Sequence, residues 1–185
     1  MRLGVMCSGN GTNFENILRT CTKDEVVLMI ANKQQCGAFE RAKKFGIPCA
    51  YSTNESWIIN EFKWVGVDLI VLAGYMRIIS PKFVEAFPNR IINIHPSLLP
   101  KYKGLHAIEQ SLDSGDDVAG VTVHYVNNEL DGGEIILQRE IPILPDDDIV
   151  SLTKAIQRQE YALLPAAIEH VKNSLPTKLL DYVKH

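Results

Sequence analysis

Leu3-Gly4-Val5-Met6-Cys7 runs into Ser8-Gly9-Asn10-Gly11-Thr12-Asn13 and then into Phe14-Glu15-Asn16-Ile17-Leu18. The first five residues are a short apolar run with the length of a buried strand. Phe14, Ile17 and Leu18 recur at helical spacing and share one face. Strand, glycine turn and helix in this order open a nucleotide-type α/β sheet. Gly9 and Gly11 let backbone N–H groups approach an anion, and Thr12 or Asn13 can cap the helix that follows. A helix N-terminus attracts phosphate through its dipole. The turn lacks the third glycine of a dinucleotide-binding loop and the Gly-Lys-Ser/Thr ending of a P-loop. At this point it reads equally as a tight turn before a capped helix or as a phosphate site.

Outward from this unit, apolar runs and helical patterns alternate. Glu25–Ala31 is a buried strand, Gly37–Phe45 a helix with Ala38, Ala42 and Phe45 inward, and Cys49–Tyr51 a third strand. Asn54–Trp64 is helical and Val67–Ala73 is a fourth strand, apolar apart from Asp68. Ser80–Phe87 carries a serine cap and a proline at the first helical position. Ile91–Ile94 is the next strand and His106–Leu112 another helix. Val118–Val126 and Glu134–Ile143 are strands joined by the polar, glycine-ended turn Asn127–Gly133, which makes them antiparallel. A long helix runs from about Ile149 to His170 with Pro165 inside it as an expected kink, and Lys172–His185 is a tail. The fold class is α/β: a mostly parallel, Rossmann-like open sheet with helices on both faces and an antiparallel C-terminal strand pair. The 185 residues are expected to form one domain.

Hydrophobic residues make up 46% and charged residues 22%, which suits a soluble globular chain. A net charge of −3 provides no general field for nucleic acid or an anionic membrane, so an anionic ligand needs a local site. Cys7, Cys21, Cys36 and Cys49 form no Cys-x-x-Cys pair and signal neither zinc nor a redox motif. No signal sequence or apolar stretch long enough to span a membrane is evident, and the cytoplasm is the expected compartment. A homodimer is compatible with the sequence.

The chemistry concentrates in Asn93-Ile94-His95-Pro96-Ser97-Leu98-Leu99-Pro100. Period-two spacing puts Asn93 and His95 on one face where a buried strand opens into a loop. Ligands bind at such strand ends in open α/β folds. Histidine is the side chain type suited to acid/base work near neutral pH, which makes His95 the natural candidate. Asp131, in Leu-Asp-Gly-Gly, is a candidate partner whose charge would favour the imidazolium and raise its pKa. The Asn93 amide can donate to a developing oxyanion. The three together suit attack of an amine on a carbonyl carbon. Plainer readings are a core histidine bonded to a carbonyl and a turn aspartate before glycines, with His106 and His124 competing for any site role. Gly74 permits close backbone approach, and Met76, Ile78 and Ile79 can line an apolar slot beside Arg77 or be ordinary core. No metal-ligand spacing is present.

Four stretches taken in order, Ser8–Asn13, Leu72–Ile78, Asn93–Pro100 and Glu129–Gly133, resemble phosphoribosylglycinamide formyltransferases, a folate-dependent formyltransferase family. The resemblance extends to Gln157–Glu160. It implies transfer of a formyl group from 10-formyltetrahydrofolate, as co-substrate, to the amine of 5'-phosphoribosylglycinamide in purine synthesis, without a metal. It implies catalytic roles for Asn93, His95 and Asp131, and phosphate binding by Gly11, Thr12 and Asn13. It places Glu160 on the ribonucleotide and Met76, Arg77, Ile78, Ile79, Asn93, Asn127, Asn128, Glu129, Leu130 and Asp131 on the folate. It further implies a phosphate-binding half over about 1–90 and a catalytic and folate half over about 91–185.

Two departures from the family pattern stand out. The segment between Tyr51 and Val67 is shorter than in long members, and Thr53–Ile59 has no basic residue where those members place a folate-contacting arginine. Asn128 occupies a loop position often held by an acid. The rival readings are a formyltetrahydrofolate hydrolase, expected to carry a further regulatory domain, a methionyl-tRNA formyltransferase, expected to carry an RNA-binding domain and a basic surface, and a non-catalytic nucleotide or folate sensor.

Overall fold

The structure is a computed structural model that describes residues 1–175. Seven strands form one sheet: β1 (Arg2–Cys7), β2 (Glu25–Ala31), β3 (Cys49–Tyr51), β4 (Leu69–Leu72), β5 (Ile91–His95), β6 (Val118–Tyr125) and β7 (Ile135–Pro142). Their order is β3-β2-β1-β4-β5-β6-β7. The first five run parallel; β6 is antiparallel to β5, and β7 to β6. The order reverses between β1 and β4. Connections leave the sheet in opposite directions there, and a crevice opens at the strands' C-terminal ends. This is the fold class expected from the alternating runs.

Six helices complete the described chain: α1 (Thr12–Thr20), α2 (Gly37–Phe45), α3 (Glu55–Trp64), α4 (Pro81–Ala86), α5 (Ala107–Asp113) and α6 (Ile149–Ser174). Period-two alternation along β1 divides the core between the faces. Leu3, Val5 and Cys7 pack with Phe14, Ile17, Ala38 and Ala42 of α1 and α2, and with Leu164 and Ile168 of α6. Met6 packs on the other face with Ile58 and Phe62 of α3 and with Phe83 of α4. A strand covered on both faces has no solvent side, which is why β1, β2 and β4 read as continuous apolar runs. Only the short edge strand β3 and the outer strand β7 are largely open to water.

Local chemistry sets the helix ends. Ser80 Oγ accepts from Phe83 N–H at the start of α4, with Pro81 in the first turn. Asp148 and Ser151 form a reciprocal capping box on α6. Gly46 ends α2 in the left-handed conformation. The expected Thr12 or Asn13 cap on α1 is not formed. Gly11, at φ 71, occupies the N-cap position without a side-chain bond, and Asn13 turns elsewhere. The α6 helix continues beyond His170 to Ser174, with Pro165 inside it. Lys172 Nζ lies 3.0 Å from Asp24 at the start of β2. Of the expected tail, residues 176–185 lie outside the described part.

Phe62 is fully buried beneath Gly4, whose missing Cβ leaves room for the ring, and it meets Phe87 edge-on at 6.3 Å. Phe62→Ala should cost about 3–5 kcal/mol of stability. Urea denaturation should show a lower midpoint with an unchanged slope.

Candidate active site

The C-terminal ends of β1 and β4 are tied together by hydrogen bonds. Ser8 N–H donates to the Gly74 carbonyl at 3.1 Å, and Met76 N–H donates to Ser8 Oγ at 2.7 Å. The glycine turn after β1 and the Gly74–Ile79 segment after β4 are therefore two walls of one cleft. The cleft is a cavity of about 620 Å³, and every site residue expected from the sequence lines it. Gly11, Thr12, Asn13 and Glu160 lie along it, with Met76, Arg77, Ile78 and Ile79, with Asn93 and His95, and with Asn127, Asn128, Glu129, Leu130 and Asp131. Met76 and Ile78 are largely exposed at the cavity wall, whereas Ile79 is buried in the core.

At the centre, His95 is buried, and its Nε2–H donates to the Tyr102 carbonyl at 2.8 Å. A carbonyl can only accept, so this contact places a proton on Nε2. Nδ1 lies 3.5 Å from Asp131 Oδ2, which places the imidazole and the carboxylate beside each other. Gly104 N–H donates to the same Oδ2 at 2.8 Å. Asp131 Oδ1 lies 3.6 Å from Nε2 of His124. Burial alone would push the Asp131 carboxyl up; the neighbouring His124 ring, the Gly104 N–H and the His95 ring together outweigh it, and the net direction is down.

His124 is the site neighbour whose place the sequence left open. It pairs with Asn93 across the β5–β6 ladder and is buried. Its Nδ1–H donates to the Tyr125 carbonyl at 2.8 Å, leaving Nε2 to accept from Asn93 Nδ2 at 3.2 Å. One amide N–H of Asn93 is thereby used and the other is left for the cavity. His106 stands exposed, 3.5 Å from Glu109.

The loop after β5 supplies groups that no side-chain pattern announces: the Tyr102 carbonyl and the Gly104 N–H. Thr122, opposite His95 on β6, anchors this loop from inside the sheet. Thr122 Oγ1 donates to the Ser97 carbonyl and accepts from Leu99 N–H, while Gln138 bonds both Thr122 and the Leu99 carbonyl. Tyr102 and Asp131 hold positive φ of 55 and 47. The left-handed conformation is costly for residues with a Cβ and is kept where the surroundings impose it.

At the far end, Asn13 Nδ2 donates to Glu160 Oε2 at 3.0 Å, joining the first helix to the last. Burial pushes the Glu160 carboxyl up, and the Asn13 bond offsets only part of this. Among the described residues, none partners the remaining, buried Asn13 oxygen. Burial with the nearby Cys36 pushes the Cys7 thiol up to about 12, so it is no nucleophile at neutral pH. Among the described residues, no cluster of three His, Cys, Asp or Glu side chains is placed to hold a metal ion.

A doubly wound sheet with an imidazole–carboxylate pair, an amide side chain and a glycine turn around one cleft has the architecture of the nucleotide-handling α/β class. The chain belongs to the formyl transferase family, whose pattern matches residues 1–168. It is 40% identical over 181 residues to the phosphoribosylglycinamide formyltransferases of Haemophilus influenzae and of Escherichia coli, covering 91% of this chain and 85% of each relative. The solved structure of phosphoribosylglycinamide formyltransferase from Anaplasma phagocytophilum superimposes with a TM-score of 0.88 at 37% identity, over 91% of this chain and 85% of that one.

Two outcomes test the geometry. Asp131→Asn should destabilise the protein at neutral pH. Because the native carboxyl titrates below its ordinary value, that difference should hold above about pH 4 and shrink as pH falls further, read from urea midpoints of the two proteins. In Gly133→Ala, the new methyl would meet the Tyr125 carbonyl oxygen. Backbone cannot give way there, so the Asp131 loop must shift, and activity should fall at least about tenfold while the far-ultraviolet dichroism stays native.

Proposed function

We propose that the chain transfers the formyl group of 10-formyltetrahydrofolate to the amine of 5'-phosphoribosylglycinamide. The products are formylglycinamide ribonucleotide and tetrahydrofolate, a step of de novo purine synthesis. The observation that carries this reading is the convergence of Asn93, His95 and Asp131 on one cleft between an anion-type turn and an apolar slot.

The roles follow from the chemistry of each group. The backbone N–H groups at Gly11, Thr12 and Asn13 hold the phosphate, and Glu160 faces the ribonucleotide beside Asn13. Met76 to Ile79 and the Asn127–Asp131 loop hold the folate. The substrate amine attacks the formyl carbon, and the carbonyl electron pair moves to oxygen. The free Asn93 N–H and the His95 ring stabilise that oxyanion. Asp131 stabilises the imidazolium form of His95 as the ring relays a proton. The intermediate collapses, the bond from carbon to N10 breaks, N10 gains a proton and the amine has lost one. No basic side chain lies on the Thr53–Ile59 segment, so the folate tail depends on other contacts in this reading.

The substrates are small soluble molecules, and the proposed setting is the cytoplasm, with no role for nucleic acid or a membrane. No described helix is long and apolar enough to cross a membrane. All proposed residues come from one chain, so a homodimer is compatible with this reading and is not needed to complete the site. The phosphate-binding residues Gly11, Thr12 and Asn13 fall within about 1–90; the catalytic residues, and Glu160 on the ribonucleotide, fall within about 91–185. We propose that the two halves work as one domain.

With both substrates supplied, tetrahydrofolate should form only when the ribonucleotide is present, followed by absorbance. Asn93→Ala and His95→Ala should each lower kcat by about a hundredfold or more. Tetrahydrofolate release without the ribonucleotide would identify a hydrolase instead, and tight binding without turnover would identify a sensor.

A further inference from the structure

The glycine turn is braced from behind by the start of α2. Ala38 N–H donates to the Gly9 carbonyl at 3.3 Å. Arg41 Nε donates to the Asn10 carbonyl at 2.5 Å. The guanidinium also pairs with Glu15 in the first turn of α1, which Arg19 holds from the other side. The fit is close. A Cβ on Gly37 would lie 3.0 Å from the Asn10 carbonyl oxygen, and a Cβ on Gly11 would lie 2.8 Å from Ala38 Cα.

A trans peptide points its C=O and N–H in opposite directions. Holding the Gly9 and Asn10 carbonyls toward α2 therefore turns the N–H groups of Asn10 and Gly11 the other way. That side is the cavity, which Gly9 to Asn13 line. If the Asn10–Gly11 peptide flipped, it would present a carbonyl oxygen to an incoming anion instead. Glycine at 11 makes such a flip easy, because a residue without Cβ accepts both orientations.

We propose that Arg41 is a positioning residue for the substrate phosphate. By fixing the Asn10 carbonyl, it keeps the turn in the orientation that offers N–H groups to the anion. The inference rests on the reading of the glycine turn as the phosphate site. Arg41 does not itself line the cavity, and it lies too far along the chain for any motif of the turn to include it.

The test compares the wild type with Arg41→Met and Arg41→Lys, using the ribonucleotide, its dephosphorylated form, and ribose 5-phosphate as a calorimetric probe. In Arg41→Met, KM for the ribonucleotide should rise about tenfold, as for loss of one charge-assisted hydrogen bond. KM for 10-formyltetrahydrofolate and kcat/KM for the dephosphorylated substrate should change less than about twofold, because neither engages the turn. Arg41→Lys should recover part of the loss by supplying one donor. A wild type that favours the phosphorylated substrate, with an Arg41→Met variant that favours it equally, overturns the role of Arg41 alone. A wild type that shows no preference and no ribose 5-phosphate binding overturns the phosphate site as well. Equal losses on both substrates would mean a general structural defect and would also overturn the proposal.

Discussion

A buried imidazole needs a partner for each nitrogen, and here one partner is a main-chain carbonyl. His95 Nε2 donates to Tyr102 across a loop that leaves β5 and curls back on it. The same loop offers Gly104 N–H to Asp131, so one stretch of backbone sets both members of the pair that sit 3.5 Å apart. Its own position comes from the sheet through Thr122 and Gln138. A carbonyl or amide in such a network cannot be lost by side-chain substitution, but its direction depends on everything that holds the loop. Left-handed backbone at Tyr102 and Asp131 is the conformational cost of that arrangement.

The rest of the cleft follows from where the sheet changes direction. The β1 and β4 strands are neighbours although 61 residues lie between Cys7, the last of β1, and Leu69, the first of β4. Their ends are joined through Ser8, Gly74 and Met76. A polar glycine turn and a partly apolar wall are thus brought side by side in one cleft. The last helix closes the far end, where Glu160 meets Asn13.

Much of this was legible in the residues. Apolar runs named the strands because both faces of the sheet are covered, and the period-two placement of Asn93 and His95 survived intact at the end of β5. The helix starts marked by Ser80 and Asn54 follow the local chemistry of their side chains. The start of α1 departs from its local pattern for a physical reason. Asn13 finds a partner 147 residues away, and no local pattern encodes a contact at that distance. The pairing of His124 with Asn93 was equally hidden, since it depends on the β5–β6 register. Tyr102 and Gly104 act through main-chain atoms, which every residue possesses and no side-chain motif can mark.

The loop between β6 and β7 leaves the sheet beside Ile91 and folds back along β5 to bring Asp131 to His95. Its two ends meet: Tyr125 N–H donates to the Glu134 carbonyl at 2.8 Å, and Gly133 packs against the Tyr125 carbonyl. A segment pinched shut at its stem is a cassette. The β6–β7 pairing carries it as a unit, so the place of Asp131 is set by the two strands that hold both ends of the loop.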